Sequence, residues 1–482
     1  MQRLKTLFSP RDMTVGTPWK RILEFALPML VGNIAQQLYA STDSAVVGQY
    51  VGDNALASVG STGPILMFMI ALFIGISTGA GILVSQAFGA RDRKLLSTAI
   101  GNCITLTAIV SLIITAIGVP LSPLILRALD TPEAIIEGAI SYLQIYFLGI
   151  AGFTFYNVLS GVLRGLGDSF SALGFLILTS VLNIVLDLWF VIGFRLGVPG
   201  VAWATVIAQS VSAVLCYLKL SRMQQTFDIS LGTMKLKQQT VREILRLGMP
   251  SGFTQAIFSM AMILVQRLQN SFGPDVVATA IISMRVDGFA MMPNFSFGMA
   301  MTTFTGQNIG AGKVERVQKG ATQGAILAVG VATVMTLAVL LFGRSIMSLF
   351  TRTEAIIDLG MRFIRILSLG FIAMAVIQTM SGVMRGAGDA MTPMWISLIT
   401  SVLLRVPLSY LLVAWTKTPE TPLGRPESIY YAMLATWLAG ATINYFAFKY
   451  GRWRKRARKR IEAIQSTQAL DAATELAEAN QL

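Results

Sequence analysis

Read for apolar and polar positions alone, the chain alternates between long apolar runs and short basic or Gly/Pro breaks. A helix needs about 20 consecutive apolar residues to cross the hydrocarbon core of a bilayer. Runs of that kind fall at 22–47, 55–86, 95–118, 134–159, 170–193 and 198–220. Six more follow at 243–272, 276–305, 317–342, 355–382, 391–415 and 428–449. The first is too long for a signal-peptide core and has no small-residue cleavage site after it, so it is expected to be retained. The pattern predicts an all-α integral membrane protein with twelve transmembrane helices.

Composition strengthens this reading. Of 482 residues, 54% are apolar and 13% are charged, where a soluble domain carries about 25% charge. Mean hydropathy is +0.65. The absence of histidine excludes His-based triads and histidine metal sites. The two cysteines, Cys103 and Cys216, lie far apart inside apolar runs and form no disulfide framework or CxxC pair. No HExxH is present and no histidine could serve a serine nucleophile as its base, so a membrane enzyme has no constellation to stand on.

The formal charge of +14 acquires meaning from its placement. Lys and Arg number 27 in the breaks on one side of the twelve segments and six on the other. The positive-inside rule then predicts that both termini are cytoplasmic, in a multi-pass protein of a bacterial inner (plasma) membrane. The excess charge is a topological signal with some attraction to anionic lipid at Arg452–Arg460, and no nucleic-acid partner is expected. The stretch after Ile461 reads as a short helix or disordered tail.

An internal repeat organises the chain. S-G-V-L-R-G-L-G-D at Ser160–Asp168 returns as S-G-V-M-R-G-A-G-D at Ser381–Asp389, 221 residues later with seven of nine positions identical. At the same offset E-A-I-I at Glu133 recurs at Glu354, and Gln86 matches Gln307. I-L-E-F-A-L-P at Ile22–Pro28 resembles I-L-R-L-G-M-P at Ile244–Pro250, at 222. Each half holds six segments, an even number, so both enter from the same side. Two parallel six-helix repeats around a central cavity are an arrangement of secondary transporters. The expected organisation is an N-terminal arm (1–21), an N-terminal lobe (22–220), a linker (221–241), a C-terminal lobe (242–450) and a basic tail (451–482).

Polar residues inside spans are costly, roughly 2.5–3.5 kcal/mol for a mid-helix Asp, so each invites a functional reading. Segment 1 carries Asn33, Gln36, Gln37 and Asp43 on a stripe. Segment 5 carries Asn183 and Asp187 on one face, and segment 6 Thr205 and Gln209. Asp43, Asp187 and Thr205 each lie seven residues from the outer end of their segment, about 10 Å deep at the helical rise. Two carboxylates, an amide and a hydroxyl at one level suit a cation or proton site; the alternative is that each pairs with a neighbouring helix to hold the bundle. Shifting Asn183 and Asp187 by 221 gives Leu404 and Leu408, so the acidic group has no second copy.

In the second half, Arg285 and Asp287 fall on nearly opposite helix faces, each expected to meet another helix as an ion-pair lock or to serve as a second substrate or proton residue. Arg405 lies in segment 11. Met291 and Met292 sit in a Met-rich segment 8, where thioethers adapt to varied apolar ligands or pack the core. Pro28 and Pro250 should kink the first helix of each half. Gly75-x-x-x-Gly79 in segment 2 suggests a close helix contact.

The paired motifs Q-A-F-G-A (Gln86–Ala90) and Q-N-I-G-A (Gln307–Ala311), with the R-G-x-G-D turns at Arg164–Asp168 and Arg385–Asp389, resemble the bacterial branch of the multidrug and toxic compound extrusion (MATE) family, over roughly residues 18 to 450. The resemblance implies a cation-coupled efflux transporter. It would export amphipathic, often cationic, drugs or metabolites in exchange for H⁺ or Na⁺, with no cofactor. It also implies an N-lobe cation site at Asp43, Asn183, Asp187 and Thr205 and a gating bend at Pro28. Gln36, Gln37, Gln209, Arg285, Asp287, Met291 and Met292 are expected to support the site or meet substrate. The expected partners are small amphipathic molecules and the bilayer, and the expected state is a monomer. A flippase of lipid-linked saccharide precursors is the alternative, and would call for a more cationic cavity.

Overall fold

The structure, a computed structural model, describes residues 9–479. Residues 1–8 and 480–482 lie outside the description, as do the side chains of 39–41, 43–45 and 467–479. Every expected apolar run is helical. Segment 1 is Pro18–Val46, segment 3 Arg93–Ala128, segment 5 Ser169–Leu188 and segment 6 Gly197–Ser221. Segments 7 to 10 are Gln238–Asn270, Pro274–Gly310, Val314–Ser348 and Glu354–Gly386, and segment 12 is Glu427–Tyr450. No strand occurs among the described residues.

Two segments are broken, and a third carries a π-turn, where the sequence suggests a regular helix. Segment 2 divides at Thr62 into Asp53–Ser61 and Gly63–Gly89; Pro64 has no N–H to continue the first helix and its ring clashes with the carbonyl four residues back. Segment 4 divides at Gly149 into Glu133–Leu148 and Ile150–Gly165, bent by 52°. A Cβ on Gly149 would collide with the side chain of Val206 in segment 6, so the bend keeps the two backbones close. Segment 11 is Met391–Leu398, a π-turn at Ile399–Leu404 and Arg405–Trp415. Among the described residues nine single helices are long and apolar enough to cross a membrane, and the bent segment 4 makes a tenth. Segments 1 and 12, with 29 and 24 residues, have the length to span as well.

Contacts gather the chain into two units, and two of the three divisions fall inside helices, in segments 1 and 7. The first unit holds residues 9–12 with 31–252. Its core runs through Phe73, Ile76, Leu83, Ile100, Leu143, Leu159 and Leu163, all buried. The opening half of segment 7 belongs here because it lies against segment 2: Gly75 and Gly79 meet Gly248 and Gly252 backbone to backbone, and a Cβ on Gly79 would land on the Ile244 carbonyl. The expected small-residue contact is therefore real, with a second glycine pair as its partner. Asn102 fastens the preceding loop, accepting from Lys237 N–H at 2.7 Å and donating to the carbonyls of Thr233 (3.2 Å) and Lys235 (3.0 Å).

The second unit holds residues 13–30 with 253–479. Ile22, Phe25 and Met29 of segment 1 are buried with Met301, Phe304, Ile309 and Val317. Gln307 Oε1 accepts from Met13 N–H at 2.8 Å, and Asn308 Nδ2 donates to the Met13 carbonyl at 3.2 Å. Lys313 and Arg316 donate to the carbonyls of Met13, Thr14, Val15 and Gly16. Gln307 and Asn308 of the second Q-x-x-G-A motif thus grip the chain just ahead of segment 1. Within segments 1 and 7 the division falls two residues beyond a proline, Pro28 or Pro250.

The R-G-x-G-D turns have a structural explanation. Gly167 and Gly388 both have φ of +87°, a left-handed conformation that closes one helix. Asp168 caps the next, accepting from the Ser171 N–H at 2.9 Å, and Asp389 at the matching place accepts from the Thr392 N–H at 3.3 Å and its hydroxyl at 2.9 Å. Arg456 of the tail helix Trp453–Ala479 pairs with Asp389, and Lys219 lies 3.9 Å from Asp168.

Candidate functional site

Segments 5 and 6 run antiparallel and share a polar seam. Thr179 and Ser212 hydrogen-bond hydroxyl to hydroxyl. One turn on is Asn183 and a further turn on is Asp187, both with no solvent exposure. Asn183 is satisfied when its amide nitrogen donates to Asp187 Oδ2 at 2.9 Å and its oxygen accepts from the Thr205 N–H at 3.2 Å. The opposite orientation would turn an amide oxygen on a carboxylate. The Thr205 hydroxyl lies 3.3 Å from the same end of that amide and bonds the Val201 carbonyl at 3.1 Å. The spacing of four within segment 5 and the antiparallel neighbour together place carboxylate, amide and hydroxyl in one buried cluster.

Three of the four expected coupling residues, Asn183, Asp187 and Thr205, are therefore adjacent. Asp43 is on the segment 1 helix, but its side chain lies outside the described residues. Gln209 sits one turn from Thr205 with its Oε1 enclosed and accepting no hydrogen bond. Gln36 and Gln37 are exposed along segment 1. Thr179 and Ser212 were not among the expected residues, although 179, 183 and 187 continue one four-residue spacing.

The second unit holds different groups. Arg285 lies over the Phe350 ring at 5.9 Å, and Asp287 keeps Oδ1 enclosed without a hydrogen bond. Neither forms an ion pair among the described residues. Met291 and Met292 are buried, Met291 in the apolar core of this unit. Pro28 is buried inside its helix.

Chemically, the Asn183–Asp187–Thr205 cluster offers oxygens and one carboxylate in a low-dielectric setting. A carboxylate flanked by neutral oxygens has the chemistry to hold a proton or a monovalent cation; among the described residues no three His, Cys, Asp or Glu come together.

Comparison with known proteins gives the following. The family model MatE matches twice, over residues 28–189 and 250–411, each copy beginning at one of the two paired prolines. A probable multidrug resistance protein YpnP of Bacillus subtilis (strain 168) is 30% identical over 443 residues, covering 92% of this chain and 97% of that protein. A probable multidrug resistance protein NorM of Thermotoga maritima is 29% identical over 454 residues, covering 92% and 96%. A solved structure described as "Crystal structure of MATE in complex with MaL6" superposes with a TM-score of 0.84 at 25% identity, covering 94% of this chain and 99% of that one.

Proposed function

Since the chain belongs to the MatE family of membrane transporters, we propose that it is a secondary active antiporter that exports amphipathic, often cationic, compounds in exchange for H⁺ or Na⁺. The observation that carries this reading is the buried Asn183–Asp187–Thr205 cluster, which has no counterpart in the other repeat. A scaffold repeated twice, with an acid at this position in only one copy, is what a single coupling site would use. An intramembrane carboxylate is retained at a cost of several kcal/mol only where it has work such as ion transfer or pairing. The relatives named for multidrug resistance support the substrate class.

In this proposal the ion binds Asp187, with Asp43 of segment 1 as a second carboxylate. Its arrival favours release of the exported compound, and its departure resets the carrier. Pro28 and Pro250 mark where the first and seventh helices pass between units, so they are the natural hinges for alternating access. The basic breaks support a topology with both termini on the cytoplasmic side of a bacterial plasma membrane. The test is uptake or release of ethidium by proteoliposomes under an imposed H⁺ or Na⁺ gradient; no movement under either gradient would overturn the reading.

A further inference from the structure

Arg405 is a cation in the middle of segment 11, ten residues before Trp415 and so about 15 Å from that end of the helix. It is 8% exposed. A buried guanidinium is stable only when its charge and its five N–H donors are met. Here Nε donates to Thr436 Oγ1 at 3.2 Å, and the Trp437 ring lies 5.8 Å from Cζ. Among the described residues no carboxylate pairs with it, and both terminal amino groups lack a hydrogen-bond acceptor.

The surroundings fix the guanidinium in place. Trp437 is itself held: Gly370 lies under the indole so closely that a Cβ there would collide with it, and Phe371 is 6.4 Å away centroid to centroid. Ser401 and Ser409, one turn to either side of Arg405, are buried on the same face. At the repeat offset of 221, Arg405 corresponds to Ile184, next to Asn183. The two repeats thus bury opposite charges in matching helices, an acid in segment 5 and a base in segment 11.

We propose that Arg405, with Thr436 and the Trp437 face, forms an anion-recognising subsite within the second unit. Its ligand is the carboxylate, sulfonate or phosphate group of an amphipathic compound. The planar fork left by the two terminal amino groups matches two oxygens of such a group side by side, and Trp437 supplies an apolar face beside it. The transported class then includes anionic and zwitterionic amphipaths. This inference rests on the transporter reading for its physiological meaning, but the subsite is tested by binding alone.

The experiment measures equilibrium binding of carboxyfluorescein and of ethidium to the purified full-length protein in detergent, by fluorescence anisotropy. Wild type is compared with Arg405→Gln and Arg405→Lys, and monodispersity is checked for each. The expected result is that the ratio of carboxyfluorescein to ethidium affinity falls about tenfold or more in Arg405→Gln and less in Arg405→Lys, as loss of a charge-assisted bond predicts. In the wild type, naphthalene-2-sulfonate should displace carboxyfluorescein where equal chloride does not; this arm needs no variant to fold. An unchanged ratio in Arg405→Gln, absence of carboxyfluorescein binding to wild type, or displacement by chloride as readily as by the sulfonate would each overturn the proposal. Failure of gradient-driven transport with binding intact would count against the antiporter reading and leave the subsite standing.

Discussion

The Asn183 amide nitrogen donates to Asp187 Oδ2 at 2.9 Å across a single turn of segment 5, while the amide oxygen holds the Thr205 N–H of segment 6 at 3.2 Å. One side chain thus orients the carboxylate and fixes the neighbouring helix against it. Replacing Asn183 by Leu removes the donor to the buried Asp187 carboxylate, a change on the order of 1–3 kcal/mol. Gradient-driven ethidium transport should fall about tenfold, with protein yield in the membrane retained. Thr205→Ala, which keeps the backbone N–H, should cost less. Equal transport in Asn183→Leu and wild type would count against this role.

The glycine contact between segments 2 and 7 predicts a graded response. A Cβ on Gly79 meets the Ile244 carbonyl and the backbone of Gly248, whereas one on Gly75 has 3.2 Å to the Gly248 oxygen. Gly79→Val should destabilise the protein by about 1–3 kcal/mol, as overpacking does, and Gly75→Ala by less. Thermal unfolding in detergent, followed by intrinsic fluorescence, gives the order; the reverse order would argue against the close crossing.

Trp453 opens the tail helix and is fully buried, its Nε1 donating to the Phe448 carbonyl at 2.6 Å and its ring stacking on Phe448. Trp453→Ala should cost roughly 3–5 kcal/mol of local stability. Limited trypsin digestion should then cut sooner among Arg454, Lys455 and Arg458. Unaltered cleavage would mean the helix is held by other contacts.

Gln307 predicts a similar release at the other end of the chain. Its Oε1 is the acceptor for the buried Met13 N–H, so Gln307→Ala leaves that group unmet at a cost of about 1–3 kcal/mol. Hydrogen exchange should rise at residues 13–17 and stay constant in segment 9. No change in exchange at Met13 would refute the grip.

Much of this architecture was legible in the sequence because burial in lipid and repetition both leave linear traces. The twelve apolar runs, the offset of 221 and the pairing of Asn183 with Asp187 follow from spacing along the chain, and Thr205 joins them by its equal depth from the outer end of its own segment. What was illegible concerns partners. Hydrophobic pattern reports that a face is covered, not what covers it; so the passage of segments 1 and 7 between units at Pro28 and Pro250 was visible only as two prolines. The R-G-x-G-D turns looked like a family signature. Their sense, a left-handed Gly167 or Gly388 followed by a capping Asp, needs the backbone. Arg405 could be noticed, but its lack of an acidic partner among the described residues could not, because that is a statement about every other helix.

The central claim is that Asp187 couples ion movement to export. Its most direct test is ethidium transport in proteoliposomes under an imposed H⁺ or Na⁺ gradient, wild type beside Asp187→Asn. The account predicts transport driven by one of the two gradients in wild type and lost in Asp187→Asn, whose similar shape preserves the bundle. Gradient-driven transport in Asp187→Asn equal to that of wild type would contradict it.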